Sequence, residues 1–140
     1  MADRPTFYID VCLGKTVADA LKAAGATVEI HLDNFAQDVE DTTWIPRVAA
    51  RGWVILTKDK NIRRRHGERE ATLLAQARMF TLSSGGMRGA VMADLFVRNL
   101  DAMETLALAM EPPFLAIVTQ DGIEIVYPRL PSAEVPEDGT

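Results

Sequence analysis

Apolar and polar positions along the chain follow two spacings, one typical of buried strands and one typical of amphipathic helices. Short apolar runs bounded by glycine or polar residues predict strands at 7–13, 27–31, 53–57 and 79–82. Apolar residues three to four positions apart predict a helix after each of them, at 16–24, 42–51, 62–77 and 88–110. Two further strands, 114–118 and 123–127, are predicted to form a hairpin, because Asp121-Gly122 between them is a strong turn signal.

The order of these elements decides the predicted fold class. Strands that alternate with helices predict an α/β fold, with a mainly parallel central sheet, helices on both faces and right-handed crossovers. We predict one domain over residues 1–129, followed by a disordered acidic tail over 130–140 that contains two prolines. The apolar stripe of the predicted helix 88–110 indicates either core packing or a dimer seam.

Composition agrees with a globular domain. The 140 residues are 48% hydrophobic and 25% charged, as in ordinary soluble proteins, and suffice to bury a core. No apolar run approaches the roughly 20 residues that span a bilayer. Charged residues near the N-terminus argue against a secretory signal, and Cys12, as the single cysteine, excludes an internal disulfide. Together these features predict a cytoplasmic protein that does not contact a membrane.

Charge is distributed unevenly along the chain. The net charge is −5, but the segment 58–69 holds six cations against two acids, a local net of +4 that leaves −9 elsewhere. Its cations are Lys58, Lys60, Arg63, Arg64, Arg65 and Arg69. A concentrated basic segment on an acidic body is typical of a polyanion-binding surface, and it is equally compatible with a solvated helix face.

Three aspartates stand where a parallel sheet gathers functional groups, beyond the carboxyl ends of its strands. Asp59 follows the predicted strand 53–57, Asp41 opens the helix before that strand, and Asp10 lies within the first predicted strand among apolar neighbours. A buried carboxylate is costly without a partner. If the three converge, their repulsion requires a cation, and hard oxygen ligands favour Mg²⁺ or Mn²⁺.

Each aspartate also has a structural interpretation. Asp41 is an ordinary helix N-cap residue, Asp59 suits a turn or a pair with its lysine neighbours, and Asp10 is able to accept backbone N–H groups. Their joint occurrence favours the functional interpretation, because all three stand where one site is able to form.

Two stretches of sequence carry a resemblance to a known family: FYIDVCLG at 7–14 and DTTWIPRVAARGWVILTKDKNIR at 41–63. They resemble PIN-like nuclease domains, and are most similar to the compact branch that includes VapC-type toxin ribonucleases of toxin–antitoxin pairs. The resemblance covers about the first 65 residues directly. It implies a three-layer α/β/α PIN-like fold and a metal-dependent endoribonuclease, with a cognate antitoxin protein as partner and a possible homodimer.

The resemblance also assigns roles to residues. It implies that Asp10, Asp41 and Asp59 hold Mg²⁺ or Mn²⁺, which activates a water for attack on the scissile phosphate. The cations of the basic segment then hold the RNA backbone. They are Lys58, Lys60, Arg63, Arg64 and Arg65.

The sequence departs from the family pattern in two places. No helix carries the further glutamate that many PIN domains place between the first aspartate and the later pair, so Asp38 or Glu40 is a possible extra ligand. Asn61 replaces an acid often found two residues after the T-x-D motif. The alternative is therefore a non-catalytic PIN-like module that binds RNA or protein. A phosphoacceptor receiver domain is discounted, because its paired acids and late lysine are missing. His31 has no neighbour at metal-ligand spacing.

Overall fold

The computed structural model describes residues 4–36, 39–58, 75–82 and 88–128. The strands of this part are β1 (Thr6–Ile9), β2 (Thr27–Ile30), β3 (Val54–Thr57), β4 (Arg78–Leu82), β5 (Phe114–Thr119) and β6 (Gly122–Tyr127). Its α-helices are α1 (Gly14–Ala23), α2 (Asp41–Ala50), α3 (Gly89–Arg98) and α4 (Leu100–Ala109). Short 3₁₀ turns occupy Val11–Leu13 and His31–Asp33.

One six-stranded sheet organises the described chain, in the order β2-β1-β3-β4-β5-β6. The first five strands are parallel, and β6 pairs antiparallel with β5. Ile9 lies level with Ile30 on one side and with Leu56 on the other, so β1, β2 and β3 end at the same edge. The predicted mainly parallel sheet with a C-terminal hairpin is confirmed.

Helices cover both faces of this sheet, because successive strand side chains point to opposite sides. Phe7 and Ile9 belong to one buried cluster with the apolar faces of α1, α3 and α4. Tyr8, between them, belongs to a second cluster with Trp44 and Val48 of α2. The result is the predicted three-layer α/β/α arrangement. None of the described helices is long and apolar enough to cross a bilayer.

The first strand is shorter than predicted. The run 7–13 forms a strand only to Ile9, and the chain then turns into the 3₁₀ segment, where the Leu13 N–H donates to the Asp10 carbonyl at 3.0 Å. The Asp10 N–H still donates to the Leu56 carbonyl of β3, also at 3.0 Å. Asp10 therefore lies at the carboxyl end of β1 and not within it.

The predicted helix 88–110 is two helices, and Asn99 separates them. The Asn99 side chain donates from Nδ2 to the Leu95 carbonyl at 2.8 Å and to the Thr119 carbonyl at 3.3 Å. Asparagine competes in this way with the backbone bonds of a helix, so α3 ends before Asn99 and α4 begins after it. Met92, Phe96 and Met103 of the apolar stripe are buried, which confirms the prediction of core packing.

Two predicted elements fall largely outside the described residues. They are the basic helix 62–77, as far as residue 74, and the tail 130–140. The end predicted for that helix is wrong, because residues 75–77 form a turn in which Gln76 has a positive φ of 59°.

Substitutions on the buried side and on the exposed side of α4 are expected to lower the free energy of unfolding by different amounts. Met103→Ala leaves a cavity in the core, since Met103 is fully buried, and is expected to lower the free energy of unfolding by about 2–5 kcal/mol. Leu108→Ala is the matched control, because Leu108 is 56% exposed, and a change below about 0.5 kcal/mol is expected. Urea denaturation measures both. Equal losses for the two variants would contradict the orientation of α4.

Candidate functional site

The strand order creates a crevice at the carboxyl end of β1. The chain leaves β1 through α1 to reach β2 on one side, and returns through α2 to place β3 on the other side. In open α/β sheets, ligands bind where the strand order reverses in this way, beyond the carboxyl ends of the strands. Asp10 directly follows β1 and Thr57 ends β3, so both stand at this point.

Asp10 carries a buried carboxylate, and one of its two oxygens accepts hydrogen bonds from neighbouring side chains. The side chain is part of a residue that is only 6% exposed. Thr57 Oγ1 donates to Asp10 Oδ2 at 2.8 Å, and the Cys12 thiol donates to the same oxygen at 3.4 Å. Among the described residues, none donates to Oδ1. A carboxylate in so buried a residue is costly unless donors or a bound cation compensate its charge.

Cys12 completes a small polar group beside this carboxylate. Its Sγ lies 3.5 Å from Thr57 Oγ1 as well as 3.4 Å from Asp10 Oδ2. Burial, together with the negative charge of Asp10, raises the pKa of the thiol to about 11. The thiol is therefore protonated at neutral pH and acts as a weak hydrogen-bond donor to the carboxylate, not as a nucleophile.

His31, at the end of β2, has a structural role. It is 2% exposed, and its Nε2 donates to the Ala36 carbonyl at 3.0 Å. Because a carbonyl only accepts, Nε2 carries a proton, and Nδ1 forms a hydrogen bond with the Tyr8 hydroxyl. Both ring nitrogens are thus occupied, which agrees with the expectation that His31 is not a metal ligand. The hydrogen bond between Tyr8 and His31 instead holds the start of the β2–α2 connection against β1.

The structure places the other predicted site residues as follows. Asp41 is the first residue of α2, and that helix starts at the carboxyl edge of the sheet because it follows β2. The N-cap position belongs to Glu40, which makes no side-chain capping bond, so the N-cap interpretation of Asp41 is wrong by one residue. Lys58 directly follows β3 and is half-buried.

The remaining predicted residues lie outside the described part of the chain. They are Asp38, Asp59, Lys60, Asn61, Arg63, Arg64 and Arg65. Within residues 4–36, 39–58, 75–82 and 88–128, no three acidic, histidine or cysteine side chains are grouped so as to hold a metal. The predicted three-aspartate cluster thus stays a prediction, with Asp10 as its described member.

A pocket of about 240 Å³ borders Asp10, and no pattern in the sequence predicted it. One of its sides is formed by α1, which contributes Lys15 and Lys22. These lysines are isolated in the sequence, far from the basic segment 58–69, so no local charge pattern indicated them. Their spacing of seven residues, which places both on one face of α1, was the available signal.

Comparisons with known proteins agree with the geometry. A family model described as "PIN like domain" matches residues 5–84, which include β1, α1, β2, α2, β3 and β4. The protein named "Putative ribonuclease VapC45", from Mycobacterium tuberculosis (strain ATCC 25618 / H37Rv), is 30% identical over 112 residues. That alignment covers 76% of this chain and 81% of the relative. No solved structure gives a significant match.

The environment of Cys12 predicts slow alkylation. A pKa raised from 9.0 to about 11 leaves about a hundredfold less thiolate near neutral pH, partly offset by the greater nucleophilicity of a more basic thiolate. Iodoacetamide is therefore expected to modify the folded protein about tenfold more slowly than the urea-unfolded protein at pH 8. Mass spectrometry reports this residue alone, since it is the single cysteine. Equal rates would show that the thiol is not held in this buried group.

Proposed function

The chain belongs to the PIN-like domain family, and we propose that it is a metal-dependent endoribonuclease that acts as the toxin of a toxin–antitoxin pair. The proposed cofactor is Mg²⁺ or Mn²⁺, held by Asp10, Asp41 and Asp59. The likeness to a relative named as a VapC ribonuclease supports the activity class. The observation that carries the proposal is the buried Asp10 carboxylate at the β1/β3 crevice, oriented by Thr57.

The donors present fit a hard divalent cation. Asp10 offers Oδ1, while Thr57 and Cys12 both bind Oδ2 and so fix the plane of the carboxylate. Carboxylate oxygen is the ligand that Mg²⁺ and Mn²⁺ prefer. Donors that hold the far oxygen of a ligating carboxylate also orient it and tune the metal.

We propose two further carboxylates for the same crevice, those of Asp59 and Asp41. Asp59 follows Thr57 by two residues, and two residues of chain reach at most about 7 Å. Asp41 begins α2 at the carboxyl edge of the sheet. Three carboxylates that share a small site repel one another unless a cation joins them. Asp38, Glu40 and Asn61 are proposed as possible additional ligands.

Each side chain then has a distinct task. When bound, the metal supplies an activated water and neutralises charge on the phosphate. Asp10, Asp41 and Asp59 position that metal, and Thr57 keeps Asp10 in one orientation. The proposed RNA-binding residues, which neutralise the backbone on either side of the scissile bond, are Lys58, Lys60, Arg63, Arg64 and Arg65.

The proposed partners follow from the same assignment. They are an RNA substrate, a cognate antitoxin protein and a second copy of the chain in a homodimer. We place the reaction in the cytoplasm, a reducing compartment in which the single Cys12 stays a thiol. Co-purification with the product of a small neighbouring gene tests the antitoxin, and light scattering tests the dimer.

The metal ligands make the most direct prediction. Asp10→Asn and Asp59→Asn each keep the shape of the side chain but remove its charge, so RNA cleavage with Mn²⁺ or Mg²⁺ is expected to fall at least about a hundredfold. Asp94→Asn is the matched control, because Asp94 is an exposed residue of α3 paired with Arg98, and it is expected to cleave like the original protein. Gel analysis of a labelled RNA measures the rates.

Two outcomes would contradict this assignment. Cleavage that persists in chelator would exclude a metal-dependent reaction. A protein that binds RNA or a partner, but does not cleave with either metal, would be the non-catalytic PIN-like module.

Substitutions at Thr57 test whether the orientation of the Asp10 carboxylate affects cleavage while every proposed metal ligand is kept. Thr57→Val preserves the shape of the side chain but removes the donor to Asp10 Oδ2, and a loss of about 10–100-fold in cleavage rate is expected. Thr57→Ser retains the hydroxyl and is expected to retain most of the rate. A serine variant as slow as the valine variant would show that packing at this buried position matters, and not the hydrogen bond. Thermal melting confirms that both variants are folded.

A further inference from the structure

The pocket beside Asp10 is small and mostly aliphatic. Ile9, Val11 and Ile30 supply apolar walls, and the volume is about 240 Å³. Sites for drug-sized ligands start at about 300 Å³. This pocket therefore suits a single small group, and its contact with Asp10 makes it continuous with the proposed metal site.

One face of α1 borders this pocket with charged side chains. Lys15, Asp19 and Lys22 follow one another at helical spacing, so they line a single stripe. Lys15 pairs with Asp19 at 3.6 Å, whereas Lys22 is exposed and forms no ion pair with any described residue. Seven residues of helix place the two lysines about 10 Å apart along the axis.

We propose that this pocket receives one ribonucleoside of single-stranded RNA, the unit adjoining the scissile phosphate, and that Lys22 and Lys15 hold the phosphates on either side of it. The proposal rests on the proposed ribonuclease function and adds a substrate subsite to it. It predicts that the RNA enters unpaired, because a base within a helix is stacked and cannot turn into a pocket.

The chemistry of the lining favours a nucleoside over other occupants. An anionic group deep in the pocket would meet the buried carboxylate of Asp10, so the uncharged base and ribose lie inside and the phosphates stay at the lysine rim. The aliphatic walls contact the faces of the base, and the carboxylate of Asp19 accepts from its amino group or from ribose hydroxyls. An apolar side chain of a protein partner would leave Lys22 without a counterpart, since Lys15 already pairs with Asp19.

Binding measured without cleavage tests the subsite. Fluorescence anisotropy of a short labelled single-stranded RNA, in the presence of chelator, keeps the RNA intact whether or not the protein is a nuclease. Val11→Phe adds a ring to a wall residue that is already 38% exposed, and is expected to raise Kd about tenfold by filling the pocket. Val91→Phe is the matched control, since Val91 is 47% exposed on α3 and outside the pocket, and it is expected to leave Kd unchanged.

A charge variant tests the rim independently of the walls. Lys22→Glu is expected to raise Kd and to reduce the slope of log K against log salt by about one, since one phosphate contact is lost. Arg47→Glu is its control, because Arg47 is likewise an exposed cation in the last turn of a ten-residue helix but lies on α2. Lys22 and Arg47 are both exposed, so Lys22→Glu and Arg47→Glu are expected to fold and still test the subsite if Val11→Phe does not fold.

The outcomes separate the subsite from the nuclease activity. Weaker RNA binding by Val11→Phe and Lys22→Glu, with unchanged controls, supports the subsite even if no metal-dependent cleavage is found. Cleavage with an unchanged Kd and salt slope in both variants overturns the subsite and leaves the nuclease function standing. Variants that bind RNA normally but lose a partner protein also overturn it, because the pocket then serves protein recognition.

Discussion

The hydrogen bond from Thr57 to Asp10 joins the two strands on which the proposed site depends. It spans 47 residues of sequence and 2.8 Å of space, at the point where the strand order reverses. A carboxylate buried to this degree is tolerated only where donors or cations compensate it. The fold supplies one set of compensating groups on Oδ2, and leaves Oδ1 facing the crevice without a donor among the described residues. Stability and function therefore constrain the same side chain.

The sequence was sufficient for the fold class, the mainly parallel sheet and the place of Asp10 among buried residues. These follow from the spacing of apolar residues and from the cost of burying a charge. The features that the sequence did not predict depend on particular turns and contacts. The end of β1 at Ile9 depends on a turn that no propensity signals, and the break at Asn99 depends on a contact with Thr119, which is remote in sequence. The pocket was missed because its walls come from separate segments around Ile9 and Ile30. Asp41 is displaced by one residue from its predicted capping position, a typical uncertainty at helix ends.

Aromatic and polar side chains behind the crevice give it a rigid support. The Tyr8 hydroxyl forms a hydrogen bond with His31, and the Tyr8 ring lies among Phe35, Trp44 and Trp53. Arg51 covers this group, with its guanidinium 4.9 Å from the Trp53 ring centroid. The start of the β2–α2 connection, from His31 to Ala36, is thus held by packing on the second face of the sheet, while α1 borders the pocket on the first. The two layers of helix contribute different parts of one proposed site.

The position of β1 between β2 and β3 also governs when the proposed site is able to form during synthesis. β1 is made first, but its partner β3 follows more than forty residues later, and Asp10 meets Thr57 only after that strand has left the ribosome and docked. Long-range parallel pairing forms slowly, because the loop must be closed before the contact stabilises it. No short fragment of the chain contains both halves of the crevice. A nascent or truncated chain that lacks β3 therefore lacks the contact between Asp10 and Thr57 on which the proposed site depends.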